Sequence, residues 1–213
     1  MTRIGVLALQ GDFREHIGAL ERLGAEARAV RLPGDLDGVE GLIIPGGEST
    51  VMGKLMVEYG LAQPLRRAID DGLPAWGTCA GLILLSRATD NAMAGQPLLA
   101  AMDIRTRRNA FGPQRASFET DLAIPALGAE PVHAVFIRAP AVEAVGAGVE
   151  VLGRIADEGA TGIDRANVAN DEGATIVAVR QGNLMGTAFH PEVTGDLRFH
   201  DYFLRLVRDA RIA

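Results

Sequence analysis

Apolar residues in this chain fall in short blocks separated by glycine- and proline-containing turns, and the blocks alternate between strand-like and helix-like spacing. Residues 3–9 (Arg3-Ile4-Gly5-Val6-Leu7-Ala8-Leu9) are almost uniformly apolar, the pattern of a strand buried on both faces of a parallel sheet. Gln10-Gly11-Asp12 interrupts the block, with Asp12 placed to cap a helix carrying Ile17, Leu20 and Leu23 at helical spacing and ended by Gly24. Residues 27–32 alternate and predict a more exposed strand; residues 41–44 predict a short apolar one. Helical spacing follows over 51–59 and 65–69. A short apolar run then reaches Gly77, a tight Gly-Thr-Cys-Ala-Gly turn comes next, and a second apolar run over 82–88 has helical length. Residues 89–96 read as a polar loop. Strands are predicted over 116–122, 131–140 and 149–155, and a hairpin over 175–180 and 184–189 around Gln181-Gly182-Asn183. Residues 196–209 predict an amphipathic helix with Leu197, Tyr202, Phe203, Leu206 and Val207 inward. Strands alternating with helices describe an α/β fold built on an open, mostly parallel sheet.

The bulk numbers narrow the classes. A length of 213 residues suits one domain over 1–213, and 48% apolar with 23% charged residues describes a soluble globular chain. The net charge of −6 argues against a nucleic acid or an anionic membrane as main partner. No apolar run approaches the roughly 20 residues of a membrane span. A single cysteine forms no internal disulfide, and the first residues lead straight into a strand without a signal-peptide pattern, so a cytoplasmic address is expected. Residues 157–173 are polar and glycine-rich and read as a surface loop or a hairpin with a loose tip.

Cys79 stands where strand turns into helix, with glycines two residues to either side. That is the corner geometry of hydrolase nucleophiles, with sulfur in place of oxygen; a lone cysteine is equally a small buried apolar residue. Pro45-Gly46-Gly47-Glu48-Ser49-Thr50 follows another strand at the sheet edge where ligands bind. Its adjacent glycines offer backbone N–H groups to an oxyanion; the alternative is a plain turn with Ser49 or Thr50 as helix cap. His190 and Glu192 flank Pro191 on an extended segment and can point the same way, a carboxylate orienting an imidazole. His16, His133 and His200 read as surface or helix-face histidines. Arg105, Arg107 and Arg108 crowd one segment, read either as an exposed edge strand or as a guanidinium poised for a carboxylate. Nothing in the spacing points to a metal or a bound cofactor.

Together these motifs resemble the class I, triad-type glutamine amidotransferases. Ala8-Leu9-Gln10-Gly11-Asp12, Pro45 to Thr50, Arg108-Asn109-Ala110-Phe111-Gly112 and Phe189-His190-Pro191-Glu192 are most similar to the glutaminase subunits of pyridoxal 5′-phosphate synthase. The resemblance implies a three-layer, flavodoxin-like fold with helices on both faces of the sheet and an antiparallel extension. It also implies Cys79 as nucleophile, His190 as general base and acid, and Glu192 as its orienting partner. Gly47 and Ala80 would form the oxyanion hole, and Gly47, Glu48, Ser49, Arg108, Ile137 and Arg138 would hold L-glutamine. The implied partner is a TIM-barrel synthase subunit in a large hetero-oligomer that receives the ammonia, with Gly46-Gly47 as the part that moves on docking. Other readings are the glutaminase of another amidotransferase such as imidazole glycerol phosphate synthase, a non-catalytic module on the same scaffold, and a cysteine hydrolase of related fold.

Overall fold

The apolar blocks become the centre of the sheet. In the computed structural model, which describes residues 1–112, 117–156 and 174–212, β1 (Arg3–Leu7), β3 (Gly41–Ile44) and β4 (Ala75–Thr78) are buried throughout, apart from Arg3 at the start of β1. The alternating block forms β2 (Glu26–Val30), half-buried at one edge. β5 (Ser86–Asp90), β6 (Met102–Arg107), β9 (Ala141–Val145), β10 (Glu150–Ala156), β11 (Ala174–Gln181) and β12 (Leu184–Thr187) complete the sheet. Its order is β2-β1-β3-β4-β12-β11-β9-β6-β5, with β10 paired to β11. From β2 to β12 every pairing is parallel, and from β12 through β11 and β9 to β6 the pairings are antiparallel. A separate antiparallel ribbon joins β7 (Ser117–Leu122) to β8 (Val132–Ile137). This is the fold expected, a parallel half extended by an antiparallel one.

Helices cover both faces. Trp76 and Gly77 are neighbours on β4, so their side-chain directions are opposite. The Trp76 ring packs on His16 of α1 (Phe13–Arg22) and on Phe199, His200 and Phe203 of α5 (Arg198–Ala210). On the other face, a Cβ on Gly77 would lie 2.4 Å from the Gly81 carbonyl carbon in α4 (Ala80–Leu85), and one on Gly81 would lie 1.9 Å from Ile44 O. No side chain fits in either place, so the two glycines around Cys79 let helix and sheet close on each other. α2 (Ser49–Glu58) packs beside α4, and α3 (Ala62–Asp70) beside α2.

Three local expectations change. The apolar helix expected over 82–88 ends at Leu85, and Ser86 turns extended, with its Oγ 2.7 Å from Ile83 O. Residues 86–90, expected as helix end and loop, pair in parallel with β6. β6 carries Arg105 and Arg107 but is no edge strand, because β9 and β5 flank it. β9 had no sequence signal distinct from the strand before it. The expected loop over 157–173 lies outside the described residues, as does Ala116 at the start of the strand expected there.

Candidate active site

Three parallel strands deliver the chemistry to one rim. β4 lies between β3 and β12, so the residues following β3 (Pro45 to Glu48), β4 (Cys79) and β12 (Ala188 to Glu192) leave the sheet side by side. Cys79 has φ 48 and ψ −101, a left-handed backbone that a side-chain-bearing residue adopts only under strain. Its N–H donates to Thr187 O at 2.8 Å, which ties the corner to β12. The sulfur is 4.0 Å from the Ile137 carbonyl at the end of β8, and Cys79 is 7% exposed.

His190 is fixed from several sides. Its N–H donates to Val135 O of β8 at 2.9 Å, and its ring lies so close to Gly46 that a Cβ there would be 2.3 Å from Cε1. Nδ1 is 2.8 Å from Glu192 Oε1 and 3.5 Å from Asp12 Oδ2. Glu192 reaches it from a 3-10 turn over Pro191–Val193, not from an extended segment. Burial by itself disfavours a charge on His190. Hydrogen bonds donated by the ring to Asp12, to the Cys79 sulfur and to Glu192 reverse this and push the imidazole up to about 12. Burial holds the Glu192 carboxyl above its ordinary value, against the pull of His190. The result is a strongly basic imidazole set between a sulfur and two carboxyl groups, with Nδ1 turned to the acids and the other ring nitrogen left to the sulfur.

Glu48, Ser49, Cys79, Ala80, Arg108, Asn109, Ile137 and Arg138 line one cleft with Gly47 at its wall. Within it Arg108 Nη2 pairs with Glu48 Oε1 at 2.7 Å, while Nη1 reaches Thr50 Oγ1 and Gln96 Oε1 at 3.1 and 3.2 Å. Glu48 is also the helix cap of α2, accepting from the N–H groups of Thr50 (3.2 Å) and Val51 (2.8 Å), a role the sequence had offered to Ser49 or Thr50. Burial works to raise its carboxyl, but those two N–H groups, the Thr50 hydroxyl and Arg108 hold it below the usual range. Asn109 and Arg138 have positive φ (52 and 46), so both turn sharply at the cleft mouth. The pocket presents guanidinium groups, a carboxylate and backbone turns beside a thiol, a set suited to a small zwitterion.

Comparison with known proteins agrees. Residues 6–209 match the SNO glutamine amidotransferase family. The chain belongs to that family. Over 207 residues it is 56% identical to the pyridoxal 5′-phosphate synthase subunit PdxT of Clavibacter sepedonicus, covering 97% of this chain and 91% of the relative. It is 52% identical over 205 residues to PdxT of Moorella thermoacetica, covering 96% and 99%. A crystal structure of a glutamine amidotransferase aligns with TM-score 0.83 at 46% identity, covering 96% of this chain and 98% of the other. The structure of PurLQS from Thermotoga maritima, at 18% identity and TM-score 0.65, shares the fold alone.

For this family member, the structure brings together the residues that the resemblance assigns to the site, Cys79, His190 and Glu192 in contact, and Gly47, Glu48, Ser49, Ala80, Arg108, Ile137 and Arg138 around them, while Arg105 and Arg107 pair with Asp90 and Glu143 instead. Two groups were misread. Asp12 occupies the cap position of α1 but makes no side-chain capping bond; its carboxylate faces His190 instead. His16 and His200 do lie on helix faces, but on the inward ones, fully buried. A signal existed for both, since each recurs on its helix in phase with buried apolar residues. His133 is half-exposed between Asp121 and Glu119, as expected. Asp12, His190 and Glu192 converge closely enough to hold a cation, yet His190 already uses Nδ1 on both acids.

Proposed function

We propose that this chain hydrolyses L-glutamine to L-glutamate and ammonia through Cys79, His190 and Glu192, and passes the ammonia to a pyridoxal 5′-phosphate synthase subunit. The observation that carries the reading is one strained cysteine and one carboxylate-held imidazole on adjacent parallel strand ends. Cys79 Sγ attacks the side-chain amide carbon and its proton goes to His190. The tetrahedral oxyanion is received by the backbone N–H groups of Gly47 and Ala80. As the C–N bond breaks, His190 returns the proton to the leaving ammonia, and a γ-glutamyl thioester remains. Water then attacks the thioester, His190 takes its proton, and glutamate leaves as the thiol is restored. Glu192 keeps the imidazole oriented and stabilises its charged form.

Arg108, Arg138 and Glu48 are suited to the α-carboxylate and α-ammonium groups of a free amino acid, with Gly47, Ser49 and Ile137 shaping the pocket. Ammonia protonated in water is no nucleophile, so the product needs a sheltered acceptor. The PdxT relatives are named as subunits of a synthase. We therefore place beside this chain a TIM-barrel synthase subunit, in a hetero-oligomer within the cytoplasm, with the Gly46-Gly47 loop rearranging on docking. No described helix is long and apolar enough to cross a membrane. The test is ammonia release from glutamine with and without the synthase subunit. Expected is release that rises with the synthase and vanishes in Cys79→Ala. Undiminished release from Cys79→Ala overturns the triad, and full activity without the synthase overturns the docking step.

A further inference from the structure

Behind Glu192, on the side away from His190, lies a second layer of buried polar groups. His16 of α1 is 0% exposed, and its Nε2 faces Glu192 Oε2 at 3.5 Å and Thr78 Oγ1 at 3.3 Å. Its Nδ1 is 2.9 Å from Nε2 of His200 on α5, also 0% exposed. Both rings stand edge-on to Trp76. Two buried atoms make no hydrogen bond of ordinary geometry among the described residues here: Glu192 Oε2, which His16 Nε2 approaches at ion-pair distance only, and His200 Nδ1.

Those two orphans decide the tautomers. One of the facing nitrogens, His16 Nδ1 or His200 Nε2, carries the proton between them. If His16 Nδ1 donated, His200 would hold its own proton on the orphaned Nδ1, a buried donor with nothing to bond. A lone pair of His16 Nε2 would also face a carboxylate. If His200 Nε2 donates, His200 Nδ1 is merely an unused acceptor and His16 Nε2–H points at Thr78 Oγ1 and Glu192 Oε2. The second arrangement is the cheaper one, because an unmet buried donor beside a misdirected lone pair costs more than one idle acceptor.

We infer that His16 is a positioning residue for the triad: its Nε2–H, set in place by His200, holds the outer oxygen of Glu192 so that the inner one meets His190. This deepens the proposed glutaminase mechanism and rests on it. Both rings are held neutral. Burial, then the charges of His200 and His190, keep His16 well below its ordinary value, and burial with Arg22 keeps His200 down at about 4, with Asp196 pulling the other way. A neutral donor supports the carboxylate without competing with His190 for its charge. The hydrogen-bond direction then runs His200 to His16 to Glu192, and His190 donates to Glu192 from the other side.

The experiment compares His16→Phe and His16→Gln in the full chain with its synthase subunit; glutamine amide N–H can replace Nε2–H, phenylalanine cannot. His16→Phe is expected to lower kcat about ten- to a hundredfold, the loss of one hydrogen bond to a charged group, with KM unchanged. The acid limb of its pH profile moves up, because Glu192 loses a donor to its charged form. His16→Gln restores most of both, and the downfield proton resonance of His190 Nδ1–H shifts in the first variant and returns in the second. Equal loss in both variants, tracking their melting temperatures, overturns the assignment, as does unchanged kcat and pH profile in His16→Phe. Should His16→Phe fail to fold, His200→Phe serves instead, since it frees the His16 tautomer: a fall in kcat with the same acid-limb shift supports the chain of donors, and an unmoved profile overturns it. Cys79→Ala, assayed alongside, separates failure of this inference from failure of the triad: an inactive Cys79→Ala with a normal His16→Phe sinks only His16.

Discussion

At the residue scale, the imidazole of His190 is held from several sides, and small changes around it are expected to register in rate more than in stability. Gly46→Ala would place a methyl 2.3 Å from His190 Cε1. The ring must move, and a displacement near 1 Å costs on the order of a hundredfold in turnover. Steady-state kinetics beside a melting curve checks this: a large fall in kcat is expected while the fold persists. Glu192→Gln keeps the volume and removes the charge, and a loss of about 10² to 10⁴ in kcat is expected, seen as glutamate formation under saturating glutamine. Cys79, His190 and Glu192 were legible in the sequence because each stands at a turn whose neighbours are glycine or proline. Asp12 was not, because a carboxylate before a helix satisfies the pattern of a cap whether or not its oxygens reach the backbone.

At the scale of elements, α1, β4 and α5 are joined through His16, Trp76 and His200, three rings far apart in the chain. Periodicity placed each helix and its inward face, but pairing residues 184 positions apart needs the topology, which spacing does not carry. The antiparallel half was similarly obscure. Ser86-Arg87-Ala88-Thr89-Asp90 has the composition of a loop, and only β6 beside it makes it a strand. The ring cluster has a measurable consequence. His16 and His200 have folded values below their ordinary 6.5, so the stability they allow is complete above pH 6.5 and is lost as pH falls below it, for His200 towards about 4. For His200 alone the loss is on the order of 3 kcal/mol. His190, raised to about 12, has the opposite sign: its contribution is complete below pH 6.5 and fades as pH rises towards 12. It is therefore constant across the acid window, while Glu192, raised by burial, offsets part of the fall as it protonates. Melting temperatures from pH 8 to pH 4.5 are expected to decline, with His200 titrating at about 4 and His16 well below its ordinary value by NMR. A flat curve with both rings titrating near 6.5 would contradict their burial.

At the scale of the whole molecule, the parallel half of the sheet carries the reaction and the separate β7–β8 ribbon closes over it, since Ile137 and Arg138 come from the end of that ribbon. Phe118 and Phe136 stack across the ribbon with ring centroids 4.6 Å apart, and Phe136 packs against Phe189 just before His190, which ties the ribbon to the site. The β1 and β3 loops form the opposite wall and are locked together: a Cβ on Gly11 would lie 1.7 Å from Gly46 O, and Gln10 Oε1 accepts the Glu48 N–H at 2.7 Å. A partner pressing on either loop therefore acts on both. Completing an oxyanion site by docking is expected to raise glutamine turnover on the order of a hundredfold, read as ammonia release titrated against the synthase subunit. No such rise would mean that the loop is already set.

The left-handed backbone at Cys79 means that the fold tolerates its own reagent rather than welcoming it. Glycine would occupy that corner at ease, so Cys79→Gly should yield a protein that withstands heat at least as well and does nothing. Selection for ruggedness alone would discard the sulfur first.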